Sequence, residues 1–379
     1  MTITSGLDLA TVMADHTLSD PTSLGPIAVT DFDYRTFSDP AIVTEYEHLL
    51  RRARLTGDAL QRHYGKGRAP IETKYVAADI FNARVSKPGN RYLIEINNSV
   101  PLFLLILFGR LLSDEAVLPG LDASGELASN YELPAIIDPM DFTRRASWKV
   151  ALNEARGYAA GTLADVCGTF VLLHEFGHVV CGHLEAVEKL EGEAGISELT
   201  SHNLLPKKFY DRRQAWEADA DLVAAGLMMN FFRELLAVTQ TNERVAAIFG
   251  TGPGTIERIL AISSVSMFAF FAYLKGTSDK LHFMSSHPHP IVRAHYMRQM
   301  IVAHARQHWD LDLALLNDEA DAHLDGFLRA MREIEIFGEQ QSTHEYLRTI
   351  NRHYDRVERL RLRYHTAAAP WSWVEWGTP

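Results

Sequence analysis

Cysteine is nearly absent from this chain: only Cys167 and Cys181 occur in 379 residues. If both lie on one helix they stand about 21 Å apart along its axis, which excludes a bridge between them. Without a disulfide framework a reducing, cytoplasmic setting is expected. Positive charge is also short, with 37 Lys and Arg against 48 Asp and Glu and a net charge of -11. That balance argues against a nucleic-acid surface, which needs clustered cations to neutralise phosphates. The basic runs at 51–54 and 356–363 are brief, mixed with acids or apolar residues, and read as solvated helix faces. The opening MTITSGLDLATVMADHTLSD has neither the basic start nor the apolar run of a signal peptide. Long apolar runs are few. Residues 100–112 fall short of the about 20 residues of a membrane span and contain Arg110; residues 259–274 carry Ser263, Ser264 and Ser266 and suit a buried core helix. No stable membrane insertion is therefore expected. The glycine-rich turn at 250–254 lacks the Lys of a phosphate loop.

What the chain does have is apolar mass, 47% of its residues, enough for one large domain or two modest ones. Within TFVLLHEFGHVVCGHLE (169–185) lies an HExxH element, His174-Glu175-Phe176-Gly177-His178. On a helix, side chains four apart share a face, so His174 and His178 can offer imidazole nitrogens to one metal ion. Glu175 then stands beside a water on that metal, where it can act as general base. The surrounding Phe170, Val171, Leu172, Leu173, Phe176, Val179 and Val180 are apolar on every side, which marks a helix buried all round. Two imidazoles and a carboxylate are costly in such a place unless partnered, and a zinc ion supplies a partner. The plainer alternative is a pair of satisfied core histidines. Past His183 the pattern turns amphipathic and continues as one helix to Gly192.

A catalytic zinc has three protein ligands and an open position. On a continuous helix His183 lies roughly 180° from His174 and cannot be the third. Cys181 shares the face of His178 but would crowd all ligands onto one helix. Downstream, Trp216-Glu217-Ala218-Asp219-Ala220-Asp221 is the better source. An Asp211/Gln214 capping box would start a helix with Glu217 on its second turn and Asp221 one turn further on the same face. Ala218, Ala220, Ala224, Ala225 and Gly226 would let the two helices approach closely. Glu217 is then the third ligand and Asp221 the acceptor that orients a ligand imidazole. The alternative is a solvated acidic helix start favoured by the dipole.

HEFGH followed by Glu-x-x-x-Asp resembles the gluzincin metallopeptidases, in which that Glu is the third zinc ligand. The segment SSHPHPIVR (285–293) is similar to the His-Pro segment, with an Arg six residues on, of the family that contains the HtpX heat-shock protease and the CAAX prenyl protease. The resemblance, over roughly 160–300, implies that His287 and Arg293 sit across the zinc to stabilise an oxyanion or hold substrate backbone; His289 rivals His287. HtpX-like enzymes carry membrane-spanning helices beside the motif, which this chain is not expected to have, so the soluble Lit-like phage-exclusion peptidases are a second home. The implied function is a zinc-dependent endopeptidase acting on protein or peptide. A regulatory zinc-binding protein and a hydrolase of a non-peptide amide are the alternatives.

The fold expected is mainly α with a small strand component (α+β): an N-terminal region over 1–145, a zincin-like helical core over 146–300 and a helical region with a Trp-rich tail over 301–379. A helix is predicted over Pro40–His63, and a hairpin over 80–86 and 91–97 about Lys87-Pro88-Gly89-Asn90. By resemblance the hairpin is a candidate edge for binding an extended peptide; a plain cover over the core is the alternative. Residues 118–145 suit a loop, and 192–210 an irregular connector near the site. In the tail, Trp371, Trp373 and Trp376 are expected to anchor onto the body or to lie near the cleft.

Overall fold

The computed structural model describes residues 32–36, 40–65, 67–78, 81–121, 152–192, 195–197, 206–275, 287–333 and 343–373. Most of the 118–145 loop, parts of the 192–210 connector, Ser285, Ser286 and Trp376 lie outside the described residues. The fold is mainly α with a small sheet. Helix α1 (Pro40–His63) starts at its proline, as predicted. Strands β1 (Ile71–Val76), β2 (Ala83–Ser86) and β3 (Tyr92–Asn97) lead into α2 (Ser99–Leu111). Then come α3 (Glu154–Val180), α4 (His183–Glu191), β4 (Gly195–Ser197) and α5 (Lys207–Val238). The rest comprises α6 (Glu243–Phe249), α7 (Thr255–Lys275), α8 (Pro290–Ala305), α9 (Leu313–Glu333) and α10 (Thr343–Ala368).

The core is built on α3 and α5. From Leu163 to Val180 the only residue of α3 that is not buried is Asp165, as the apolar flanks of the motif predict. Asn153 caps its start by accepting from the Arg156 amide at 2.8 Å. The buried Arg156 guanidinium donates to the carbonyls of Leu112 and Val117, tying the end of α2 to the start of α3. Along α5, small residues bring its backbone against α3: a Cβ at Gly177 would lie 2.7 Å from the Ala220 carbonyl oxygen and 2.8 Å from its Cα. Helix α10 packs along α5, and α7 pairs with α8 and α9.

Three expectations are corrected here. The hairpin forms, with Val85 opposite Ile94 in an antiparallel ladder, but it is no free edge. The sheet order is β1-β3-β2-β4, with β1 parallel to β3 and β4 antiparallel to β2. Second, the motif helix does not run on to Gly192. It stops at Val180, Gly182 turns into the left-handed region at φ 72°, and His183 begins a new helix. A side chain at Gly182 would meet the Trp371 carbonyl carbon at 2.5 Å and the Ser372 nitrogen at 2.7 Å, so the C-terminal chain occupies that space. Third, α5 begins at Lys207, not at a capping box: Asp211 and Gln214 lie in its second turn and accept from Arg356 of α10.

Helix α3 and the stretch Thr255–Leu274 are long and apolar enough by length and composition to cross a membrane, as is α5 joined to α6 across a sharp bend. In the fold, 94% of the apolar window of α3 and 78% of that of α7 is buried inside the protein. The tail anchors as expected: the Trp373 amide donates to the Val180 carbonyl at 2.8 Å, and its ring meets that of Tyr92 edge-on.

Candidate metal centre

Helix α3 presents His174 and His178 on one face, and α5 crosses there with Glu217. All three side chains are buried, and their ligand atoms lie within 4.8 Å of one another. The individual separations are 3.1 Å between the two Nε2 atoms, 3.2 Å from His174 Nε2 to Glu217 Oε2, and 3.5 Å from His178 Nε2 to Glu217 Oε1. Ligand bonds of about 2.0–2.1 Å in a tetrahedral zinc site place donor atoms about 3.3–3.4 Å apart. The closest approaches are of that order, with Glu217 Oε2 nearest His174 and Oε1 nearest His178. Glu217 Oε2 is buried without a hydrogen bond among the described residues.

The outer contacts explain why these atoms suit a cation. His174 Nδ1 is 2.8 Å from Asp221 Oδ1. A carboxylate there accepts a hydrogen bond from Nδ1–H and so leaves the lone pair on Nε2. Burial, then the fields of His174, His183, His287 and Arg213, push the His178 pKa well down, so its ring is neutral. Bare nitrogens and a carboxylate converging in a dry site repel one another unless a positive ion lies between them. The buried His-His-Glu group can hold a metal ion.

Arg293 donates to Asp221 through Nε at 3.1 Å and Nη2 at 2.8 Å, and Nη2 lies 3.3 Å from His174 Nδ1. It thus stands behind His174 rather than across the site from it, where the resemblance implied. His287 is on the ligand side, with Nε2 at 3.4 Å from Glu217 Oε2 and its side chain 14% exposed. His289 accepts from the Ile291 amide at 3.3 Å through Nδ1 and caps α8. Cys181 is a buried free thiol outside the ligand group. Glu175 is buried next to the first ligand.

The chain matches no protein-family model, no curated protein and no solved structure. The arrangement of the centre accordingly stands on its own geometry.

Three participants escaped the sequence reading. A continuous helix would turn His183 away from the site; it lies outside the three-residue group, but the break at Gly182 swings it in, with Nδ1 at 2.9 Å from His178 Nδ1. Asp219 faces His183 Nε2 at 3.9 Å, and Arg361 of α10 donates to Asp219 at 3.4 Å. The glycine after Cys181, read as a helix stop, was the signal that would have exposed His183. Nothing local pointed to Arg361.

Proposed function

We propose that the protein is a zinc-dependent endopeptidase, with His174, His178 and Glu217 as the metal ligands. The observation that carries this reading is the convergence of those three buried side chains within ligand distance of one another, with Glu175 the neighbour of the first. A His-His-Glu set suits zinc, which when bound polarises a scissile carbonyl and acidifies a water. Glu175 takes the proton of the attacking water on its carboxylate and passes it to the leaving amine. His287 faces the ligand side and supplies a donor to the oxyanion through Nε2. Asp221, backed by Arg293, holds the proton on His174 Nδ1 and so keeps Nε2 free. The gluzincin resemblance of HEFGH and Glu-x-x-x-Asp supports the same roles.

The test compares the zinc-loaded protein with its Glu175→Gln variant on a cell lysate, reading new protein N-termini by terminal-amine proteomics. New termini are expected with the parent and are lost with chelator. The variant is expected to keep stoichiometric zinc while turnover falls by roughly 10²–10⁴. A parent that generates no termini, or a variant that loses its zinc, overturns the assignment.

A further inference from the structure

We infer that His183, Asp219 and Arg361 act as a positioning relay for the ligand His178, so that the C-terminal helix α10 sets the metal affinity of the centre. The inference rests on the metal reading above and concerns residues that touch neither metal nor substrate.

The two ligand imidazoles have different groups behind them. Behind His174 is a carboxylate, Asp221, held in turn by a guanidinium, Arg293. A carboxylate can only accept, so it fixes the His174 proton on Nδ1. Behind His178 stands another imidazole, His183, with the two Nδ1 atoms 2.9 Å apart. One proton lies between them, and the pair has two arrangements. In one, His178 donates from Nδ1, and its Nε2 offers a lone pair to the metal. In the other, His183 donates, His178 carries its proton on Nε2, and that proton points at His174 Nε2, 3.1 Å away. Only the first arrangement binds a cation.

Asp219 and Arg361 decide between them. When His183 accepts at Nδ1 it carries its own proton on Nε2, the atom that faces Asp219 Oδ2 at 3.9 Å. An acceptor oxygen of Asp219 on that side attracts the N–H and repels a bare Nε2 lone pair, which favours the metal-binding arrangement. Arg361 Nη1 donates to Asp219 Oδ1 at 3.4 Å, which engages that oxygen as an acceptor and leaves Oδ2 turned to His183. The chain His178–His183–Asp219–Arg361 thus parallels His174–Asp221–Arg293, with one more member. Its residues are placed with some precision. His183 is fully buried and stacks on Trp216 with ring centroids 5.5 Å apart and an interplanar angle of 21°. It reaches that position only because the chain turns at Gly182, where the backbone of Trp371 and Ser372 fills the space of a side chain. Ser372 Oγ and the Trp373 amide both donate to the Val180 carbonyl and fasten the last turn of α3. Two elements of the C-terminal region therefore bear on His178 at one remove: α10 through Arg361 and the tail through the turn that delivers His183.

The experiment measures zinc affinity by chelator competition, with the visible spectrum of the cobalt(II) form as a second readout, in the full chain and three variants. His183→Phe keeps a ring on Trp216 but removes the acceptor; zinc affinity is expected to fall about 10–100-fold with an altered cobalt spectrum. His183→Gln restores an acceptor and is expected to recover most of both. Arg361→Gln is expected to weaken binding in the same direction by less. The relay is overturned if folded His183→Phe binds zinc like the parent, or if His183→Gln is as weak as His183→Phe. Should His183→Phe not fold, an Arg361→Gln variant with parental affinity and spectrum overturns it instead. A parent that binds neither zinc nor cobalt overturns the metal centre itself, which is a different result from a parent that binds and variants that do not differ.

Discussion

Burial alone would raise the Asp221 carboxyl, but the Arg293 guanidinium and the His174 ring outweigh it and hold the pKa below the ordinary carboxylate value. The side chain thus stays ionised inside the core, and its charge serves two partners at once. Asp221→Asn keeps the shape and removes the charge. The Asn amide can donate as well as accept, so the His174 tautomer is no longer fixed, and Arg293 loses the Asp221 charge it pairs with. Zinc affinity is expected to fall about 10–100-fold, and stability by about 3–5 kcal/mol, read by chelator competition and by urea unfolding of the metal-free protein. Parental values in both would refute the role of this pair. At this scale the sequence was highly legible for His174, His178, Glu217 and Asp221, because a spacing of four on a helix is itself a geometric statement. It was least legible where that regularity broke. Once Gly182 takes a left-handed φ, helical phase no longer predicts where His183 points.

The element that decides whether the ligands meet is the crossing of α3 and α5. Gly177 lies inside the motif, between the two ligand histidines, and leaves room for the Ala220 backbone in α5. The obstruction met by a new Cβ would be backbone, 2.7 Å away, which cannot swing aside as the end of a flexible side chain can. Gly177→Ala must therefore push the helices apart and carry Glu217 away from the histidines. The expected cost is about 1–3 kcal/mol of stability, together with weaker zinc binding, although alanine favours helix more than glycine does. Thermal unfolding and zinc titration check this, and a variant more stable than the parent would show that the crossing is looser than described. Helices α1, α3 and α7 were readable from apolar periodicity and from Pro40. The hairpin was readable from its Pro-Gly-Asn turn. Strands β1 and β4 were not: IETKYV is mostly half-exposed, and Gly195–Ser197 has only three residues, so neither has the pattern of a buried strand.

On the scale of the whole molecule, the C-terminal residues return to the start of the story. Arg356 reaches Asp211 and Gln214, Arg361 reaches Asp219, and Trp373 reaches Val180, each across more than a hundred positions of sequence. Such pairings leave no local trace, which is why the tail was legible as an anchor but its docking point was not. Two histidines outside the candidate ligand group are buried as well. Burial first, then His308, lowers His304 to about 4; burial first, then Arg356, lowers His353 to about 4. Both rings are neutral in the fold, whereas in the unfolded chain each takes a proton near its ordinary 6.5. Between about pH 6.5 and 4 the unfolded state therefore binds more protons, so stability falls as the pH falls through that window. The slope has a ceiling of about 1.4 kcal/mol per pH unit for each histidine. Urea midpoints of the chelator-treated protein are expected to drop between pH 7 and pH 5, and the drop should be shallower in His304→Gln and in His353→Gln. Equal slopes in parent and variants would mean that these two rings titrate alike folded and unfolded, and that acid sensitivity, if present, arises at the metal ligands instead.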